Sequence, residues 1–219
     1  MSIYYQDDHV TLYHGDCLEL TAWLDADVLV TDPPYGMAYD SGRVKGRSRP
    51  IANDAETTAR DAALAAWGVG RPWLMFGTWR RPRPTGAAQV LVWDKTDGVG
   101  PGMGNLQAAF GTSHEEIYLG GDWPKRAARR GSVIRTSHGM SALVADIGHP
   151  TPKPLGLMEL LLVAAPPGTV ADPFAGSGST LVAAKQLGRK AIGVELEERY
   201  CEIIARRLDQ GVLDFGDAS

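Results

Sequence analysis

Cysteine is scarce in this chain. Cys17 and Cys201 are the only two among 219 residues, and they do not stand at a paired metal-ligand spacing. Two isolated thiols exclude a disulfide framework, and no zinc or other metal site is indicated. Long apolar runs are missing too: nothing approaches the roughly 20 residues a bilayer-spanning helix needs. The opening Met1-Ser2-Ile3-Tyr4-Tyr5-Gln6-Asp7-Asp8 has neither the basic start nor the apolar centre of a signal peptide. A cytoplasmic protein with no membrane partner is therefore expected. No internal repeat or sharp boundary divides the sequence, and a 44% hydrophobic content can fill a substantial core, so residues 1–219 read as one domain.

A strong net charge is also lacking, at −4, but the distribution is uneven. Arg43, Lys45, Arg47 and Arg49 form one basic segment, and Arg80, Arg81 and Arg83 a second. Lys125, Arg126, Arg129, Arg130 and Arg135 form a third, and the three together hold 12 of the 22 basic residues. Local fields of this kind can hold a phosphate backbone whatever the total charge, although solvated loops account for them equally well.

Strand-like runs occur at 10–14, 27–31, 72–76, 90–93, 116–119, 169–172 and 190–195, and helix-like stretches at 57–67, 154–164, 179–187 and 197–208. Their alternation predicts an α/β fold, a mostly parallel sheet with helices on both faces. Segments 36–53 and 120–149 have weak periodicity and many Gly, Arg and Ser residues, and read as loops, the first of them flexible.

Two motifs stand where buried strands should end. Asp32-Pro33-Pro34-Tyr35 follows Val28-Leu29-Val30, and Asp172-Pro173-Phe174-Ala175-Gly176-Ser177-Gly178-Ser179-Thr180 follows Thr169-Val170-Ala171. Open α/β sheets bind ligands just outside those carboxyl ends. In the second motif the glycines permit a tight turn and close approach of backbone to ligand. The next strand ends at Glu195, 19 residues beyond Gly176, a spacing suited to accepting hydrogen bonds from ribose hydroxyls. No Gly-Lys-Ser/Thr follows, which excludes a P-loop, and the full dinucleotide pattern Gly-x-Gly-x-x-Gly is missing. Asp172, the glycine turn and Glu195 thus point to a nucleoside-type cofactor. For Asp32-Pro33-Pro34-Tyr35 a plain strand-ending turn is the alternative.

Asp-Pro-Phe-Ala-Gly-Ser-Gly together with Asp-Pro-Pro-Tyr resembles the DNA amino-methyltransferases that use S-adenosylmethionine (SAM). The catalytic motif precedes the cofactor motif, as in the permuted β group, and the resemblance covers nearly the whole chain. It implies a Rossmann-like methyltransferase fold in which the strands bearing the two motifs are neighbours. One extra serine, Ser179 before Thr180, departs mildly from the usual motif.

The resemblance further implies roles for particular residues. Asp172, Pro173, Phe174, Ala175, Gly176, Ser177, Gly178, Thr180 and Glu195 would hold SAM. Thr151 and Lys153, in His149-Pro150-Thr151-Pro152-Lys153-Pro154, would close over its methionine end, with a Pro-rich linker at 150–154 as the alternative. Asp16 and Cys17 would meet its adenine, with a turn aspartate as the alternative for Asp16. Asp32 borders both cofactor and base. An exocyclic amine is a poor nucleophile because its lone pair is delocalised into the ring, so its N–H groups need two acceptors, the Asp32 carboxylate and the Pro33 carbonyl. Pro33 and Pro34 stiffen the backbone, and Tyr35 would stack on a flipped base. DNA is the implied partner, held by Arg43, Lys45, Arg47, Arg49, Lys125, Arg126, Arg129 and Arg130, with 120–149 as a short target-recognition insert.

Val92-Trp93-Asp94-Lys95 and His114-Glu115-Glu116-Ile117 resemble the walls around the target base. Asp-Pro-Pro-Tyr is more often associated with adenine and Ser-Pro-Pro-Tyr with cytosine, so adenine is expected at the exocyclic amine. Cytosine, an RNA base and a non-catalytic SAM- or nucleic-acid-binding module are the alternatives. Cytosine C5 chemistry is excluded, because neither cysteine follows a proline. Homodimers occur in the family, leaving a second copy as a further partner.

Overall fold

The computed structural model describes residues 3–37, 56–96, 100, 107, 109–124, 130–136 and 152–210. Nine strands in these residues form one sheet. They are β1 (Ile3–Gln6), β2 (Val10–His14), β3 (Val28–Thr31), β4 (Trp73–Gly77), β5 (Ala87–Asp94), β6 (His114–Gly120), β7 (Val133–Arg135), β8 (Val170–Asp172) and β9 (Ala191–Glu195), in the order β1-β2-β9-β8-β3-β4-β6-β5-β7. The pairs β2–β9, β9–β8, β8–β3, β3–β4 and β5–β7 are parallel, whereas β1–β2, β4–β6 and β5–β6 are antiparallel. The predicted parallel centre is present. Among the described residues four α-helices accompany it: α1 (Thr58–Trp67), α2 (Leu155–Ala164), α3 (Ser179–Gln186) and α4 (Glu198–Asp209). None of them is long and apolar enough to cross a membrane.

Successive side chains of a strand point to opposite faces, and the core divides accordingly. Val28, Val30, Leu74 and Phe76 pack with Leu157, Leu161, Leu181 and Ile204 of α2, α3 and α4. Leu29, Trp73 and Met75 pack on the other face with Trp23, Ala63 and Trp67. Strands buried on both faces have no polar alternation, which is why Val28-Leu29-Val30-Thr31 reads as a continuous apolar run ending in a small polar residue.

Most expected elements are present with boundaries displaced by a residue or a few, as at β5, which begins at Ala87 rather than 90. Three others escaped the sequence reading. Strand β1 is a hairpin partner of β2, turned by Asp7, whose Oδ1 accepts from the backbone N–H groups of His9 at 2.8 Å and Val10 at 2.7 Å. A 3-10 turn spans Ala22–Asp25. Strand β7 lies inside segment 120–149, where a loop was expected; at three residues it is too short to show a period, and pairing of Val133 with Val92 creates it.

Gly121 follows β6 and lies against the backbone of Arg71 and Pro72. At φ 73° it occupies the left-handed region, and a Cβ there would lie 2.0 Å from the Arg71 carbonyl oxygen. Backbone cannot yield as a side-chain tip can. Gly121→Ala should therefore lower stability by about 3 kcal/mol, read as a fall in thermal midpoint. Gly131→Ala, with nothing within 4 Å of its added carbon, should leave the midpoint nearly unchanged.

Candidate active site

The topology brings the two motifs together. Strands β3 and β8 are parallel neighbours, with Val28 opposite Val170 and Leu29 opposite Ala171. From β8 the chain leaves through α3 to β9 on one side; from β3 it leaves through α1 to β4 on the other. Such a reversal opens a crevice at the carboxyl ends. Thr31 Oγ1 spans it, donating to Asp172 Oδ1 at 2.6 Å across 141 residues of sequence. Asp32, Lys153, Asp172, Ala175, Ser177 and Thr180 line one small cleft there.

On the β8 side the turn is tightly specified. The Ala175 carbonyl accepts from Gly178 N–H at 2.7 Å, and Gly178, at φ 78°, precedes the first residue of α3 in the left-handed region. A Cβ on Gly178 would approach Ile204 Cγ1 to 2.8 Å. Glu195, at the end of β9, accepts from Gly176 N–H at 2.7 Å and from Glu197 N–H at 2.8 Å. Both carboxylates are buried, Asp172 at 2% exposure and Glu195 at 8%. Burial pushes Asp172 up to about 6 and Glu195 up to about 7, against the hydrogen bonds each accepts. A glycine turn at a helix N-terminus, flanked by an acidic residue able to receive hydroxyl hydrogens, fits the adenosyl portion of SAM.

These two carboxylates have a consequence for stability. Unfolded carboxyls titrate near ~4, so between that pH and about 7 the native state holds more protons than the unfolded chain. Their stabilising share is complete below the unfolded value and is lost as pH rises through the folded values. Glu195→Gln should remove the Glu195 part. Thermal midpoints of wild type minus variant, scanned from pH 4.5 to 8, should decline with pH; a flat difference would contradict the assignment.

On the β3 side a buried polar cluster surrounds Asp32. Tyr35 donates its hydroxyl to Asp32 Oδ1 at 2.7 Å and lies 3.2 Å from Glu115 Oε2. Lys153 Nζ donates to Asp32 Oδ2 at 2.5 Å and lies 3.4 Å from Glu115 Oε2. Lys95 Nζ donates to Glu115 Oε1 at 3.0 Å. Lys153 also sits 4.9 Å from the centre of the Phe76 ring. Burial pushes Asp32 up and the Lys153 ammonium offsets this only in part, leaving Asp32 above its ordinary value. Burial acts in the same sense on Glu115, but Lys153 and Lys95 outweigh it and hold Glu115 below the usual range. Burial disfavours the Lys153 charge, yet Asp32 and Glu115 more than restore it. Tyr35, desolvated beside two carboxylates, stays protonated.

Other expected site residues fall in different surroundings. Asp16 Oδ1 accepts from Leu18 N–H at 2.8 Å, the turn role weighed against adenine contact. Cys17 is buried, its carbonyl accepting from Trp23 Nε1 at 2.9 Å, and burial pushes its thiol up to about 12. Its side chain therefore belongs to the core. Arg81 donates to the Gly36 carbonyl, and Arg83 lies 3.7 Å from Glu116, so part of that basic cluster has protein partners. Arg135 lies 3.5 Å from Asp94, which also caps the turn at Thr96. Arg130 is exposed. Arg43, Lys45, Arg47, Arg49, Lys125, Arg126, Arg129 and Thr151 lie outside the described residues.

Lys95 and Glu115 belong to the two segments that resemble the walls around the target base, Lys95 as a candidate lining residue and neither with a catalytic role. Their signal was faint: His114-Glu115-Glu116 opens an otherwise apolar strand with three polar residues. Because β6 runs antiparallel to β4, with Gly77 opposite Glu116, that polar start comes to the same sheet edge as Asp32.

Comparison with known proteins agrees with this arrangement. The model of a family described as DNA methylase matches residues 86–206, more than half of the chain. The chain is 26% identical to the type II methyltransferase M.ScaI of Streptomyces caespitosus, over 94% of this chain and 83% of that protein. Among solved structures it shares its fold with the M1.HpyAVI–SAM complex, at TM-score 0.66 and 21% identity, over 91% of this chain and 99% of the other. It also shares it with a PvuII DNA methyltransferase described as cytosine-N4-specific, at TM-score 0.62 and 17% identity, over 99% and 90% of the two chains.

Proposed function

The chain belongs to the DNA methylase family of N6/N4 amino-methyltransferases, SAM-dependent enzymes acting on DNA, and from that premise we propose that it methylates the exocyclic N6 of adenine at specific sites. The observation that carries the reading is the Asp32 carboxylate, set at the end of β3 in the cleft it shares with Asp172 and the glycine turn. SAM, when bound, supplies an electrophilic methyl group on a sulfonium. Gly176, Ser177 and Gly178 give the close backbone approach that a cofactor needs, Thr180 steadies Asp172, and Glu195 receives the ribose hydroxyls. Pro173, Phe174 and Ala175 set the turn, while Asp16 and the backbone of Cys17 border the adenine.

Adenine must leave the helix to reach this cleft. Asp32 and the Pro33 carbonyl accept the two amine hydrogens, which turns the nitrogen lone pair out of conjugation and toward the methyl group. Asp32 then takes up the proton that the alkylated nitrogen gives up. Pro33 and Pro34 hold the carbonyl in place, and the Tyr35 ring stacks on the base. Orientation and fixed dipoles supply most of the acceleration. Adenine rather than cytosine is supported by Asp at position 32, the residue family usage associates with adenine.

The test is to incubate the protein with SAM and unmethylated DNA, digest to nucleosides and analyse them by mass spectrometry. N6-methyladenine is expected. N4-methylcytosine would keep the mechanism and overturn the base assignment.

A further inference from the structure

We propose that Glu115 is a positioning residue that draws the Tyr35 hydroxyl and the Lys153 ammonium off Asp32, freeing that carboxylate to receive the target amine. The inference rests on the role proposed above for Asp32. Both oxygens of Asp32 are engaged, Oδ1 by Tyr35 at 2.7 Å and Oδ2 by Lys153 at 2.5 Å. An ammonium held that closely withdraws the electron density an incoming N–H must find. Yet each donor has a second acceptor in reach, and for both it is the same atom: Glu115 Oε2, 3.2 Å from the Tyr35 hydroxyl and 3.4 Å from Lys153 Nζ. Small displacements of two side chains therefore exchange one carboxylate for the other without stranding a buried charge.

The rest of the cluster favours that exchange. Lys95 anchors the opposite oxygen, Oε1, at 3.0 Å and so aims Oε2 at the shared donors. Glu115 is the carboxylate held ionised by two ammonium groups, whereas Asp32, facing Lys153, Tyr35, Glu115 and, more distantly, Asp172, is left above its ordinary value by a burial that Lys153 offsets only in part. A Glu115 that only neutralised Lys153 would not need to reach Tyr35 as well. Glutamine at this position keeps the shape and an acceptor for Tyr35 but loses the charge that attracts Lys153.

The experiment compares wild type, Glu115→Gln and Glu115→Asp on unmethylated plasmid DNA with SAM, recording kcat, KM for SAM and the kcat–pH profile. For Glu115→Gln, kcat should fall about 10- to 100-fold, with KM for SAM within a few-fold of wild type. The acid limb of its profile should move to lower pH, because Asp32 loses an anionic neighbour and keeps the ammonium. Glu115→Asp should recover part of the loss. Wild-type kcat, or a reduced kcat with an unmoved acid limb, overturns the inference. Should Glu115→Gln lack a cooperative thermal transition, wild-type kcat in Glu115→Asp overturns it equally. Failure of the adenine reading is distinct: wild type itself would then yield no N6-methyladenine.

Discussion

Replacing Asp32 by alanine is expected to lower methyl transfer by about 1,000-fold or more, to the limit of detection, with SAM affinity changed only a few-fold. Alanine removes the acceptor that orients the amine, while Asp172, Glu195 and the glycine turn are held by their own contacts: Thr31 on Asp172, and Gly176 and Glu197 on Glu195. The variant also tests the buried cluster, because Lys153 then keeps only Glu115. Breaking a buried pair can cost several kcal/mol, but Asp32 retains 24% side-chain exposure and Lys153 a second carboxylate, so the cost here should be far smaller. Calorimetric titration with SAM, alongside nucleoside mass spectrometry of DNA treated with the variant, separates the two effects. Unchanged turnover would remove the proposed mechanism, and lost SAM binding would place Asp32 in the cofactor site.

The second large effect concerns Glu195. Glu195→Ala should weaken SAM binding by roughly 30-fold or more, since hydrogen bonds to a charged group are each worth about 1.5–3 kcal/mol. The wild-type affinity should also depend on pH. Burial pushes Glu195 up to about 7, and hydroxyl donors favour its ionised form. Binding therefore lowers that value and releases protons, so affinity rises as pH climbs toward about 7 and levels off above it. Titrations between pH 5.5 and 8.5, in two buffers of different ionisation enthalpy, should detect the released proton. With Glu195→Gln the release should disappear. Proton release persisting undiminished in that variant would assign the linkage to another group, Asp172 first.

Much of this was legible in the amino-acid order. Asp-Pro-Pro-Tyr and Asp-Pro-Phe-Ala-Gly-Ser-Gly are local devices: their prolines and glycines dictate backbone shape wherever they stand. Strands buried on both faces announce themselves as unbroken apolar runs, so β3, β8 and β9 were readable within a residue or two. Elements maintained by a partner were not. Strand β7 exists because β5 offers it an edge, and β1 because β2 folds back on it.

The sequence by itself determined the α/β class, the family and the two chemical motifs, because backbone preference, side-chain period and ligand-shaped turns are short-range properties. The tertiary structure decided what surrounds Asp32. Tyr35 lies three residues away, but Lys153 and Glu115 come from 121 and 83 positions further along, brought in by the chain preceding α2 and by the antiparallel β6. Their charges matter because burial weakens the screening between them, and burial is a property of the assembled sheet and helices. An ionisable residue read in isolation carries its chemistry but neither its partners nor its dielectric surroundings, and those two quantities set which carboxylate in this cluster is held below its ordinary pKa and which above it.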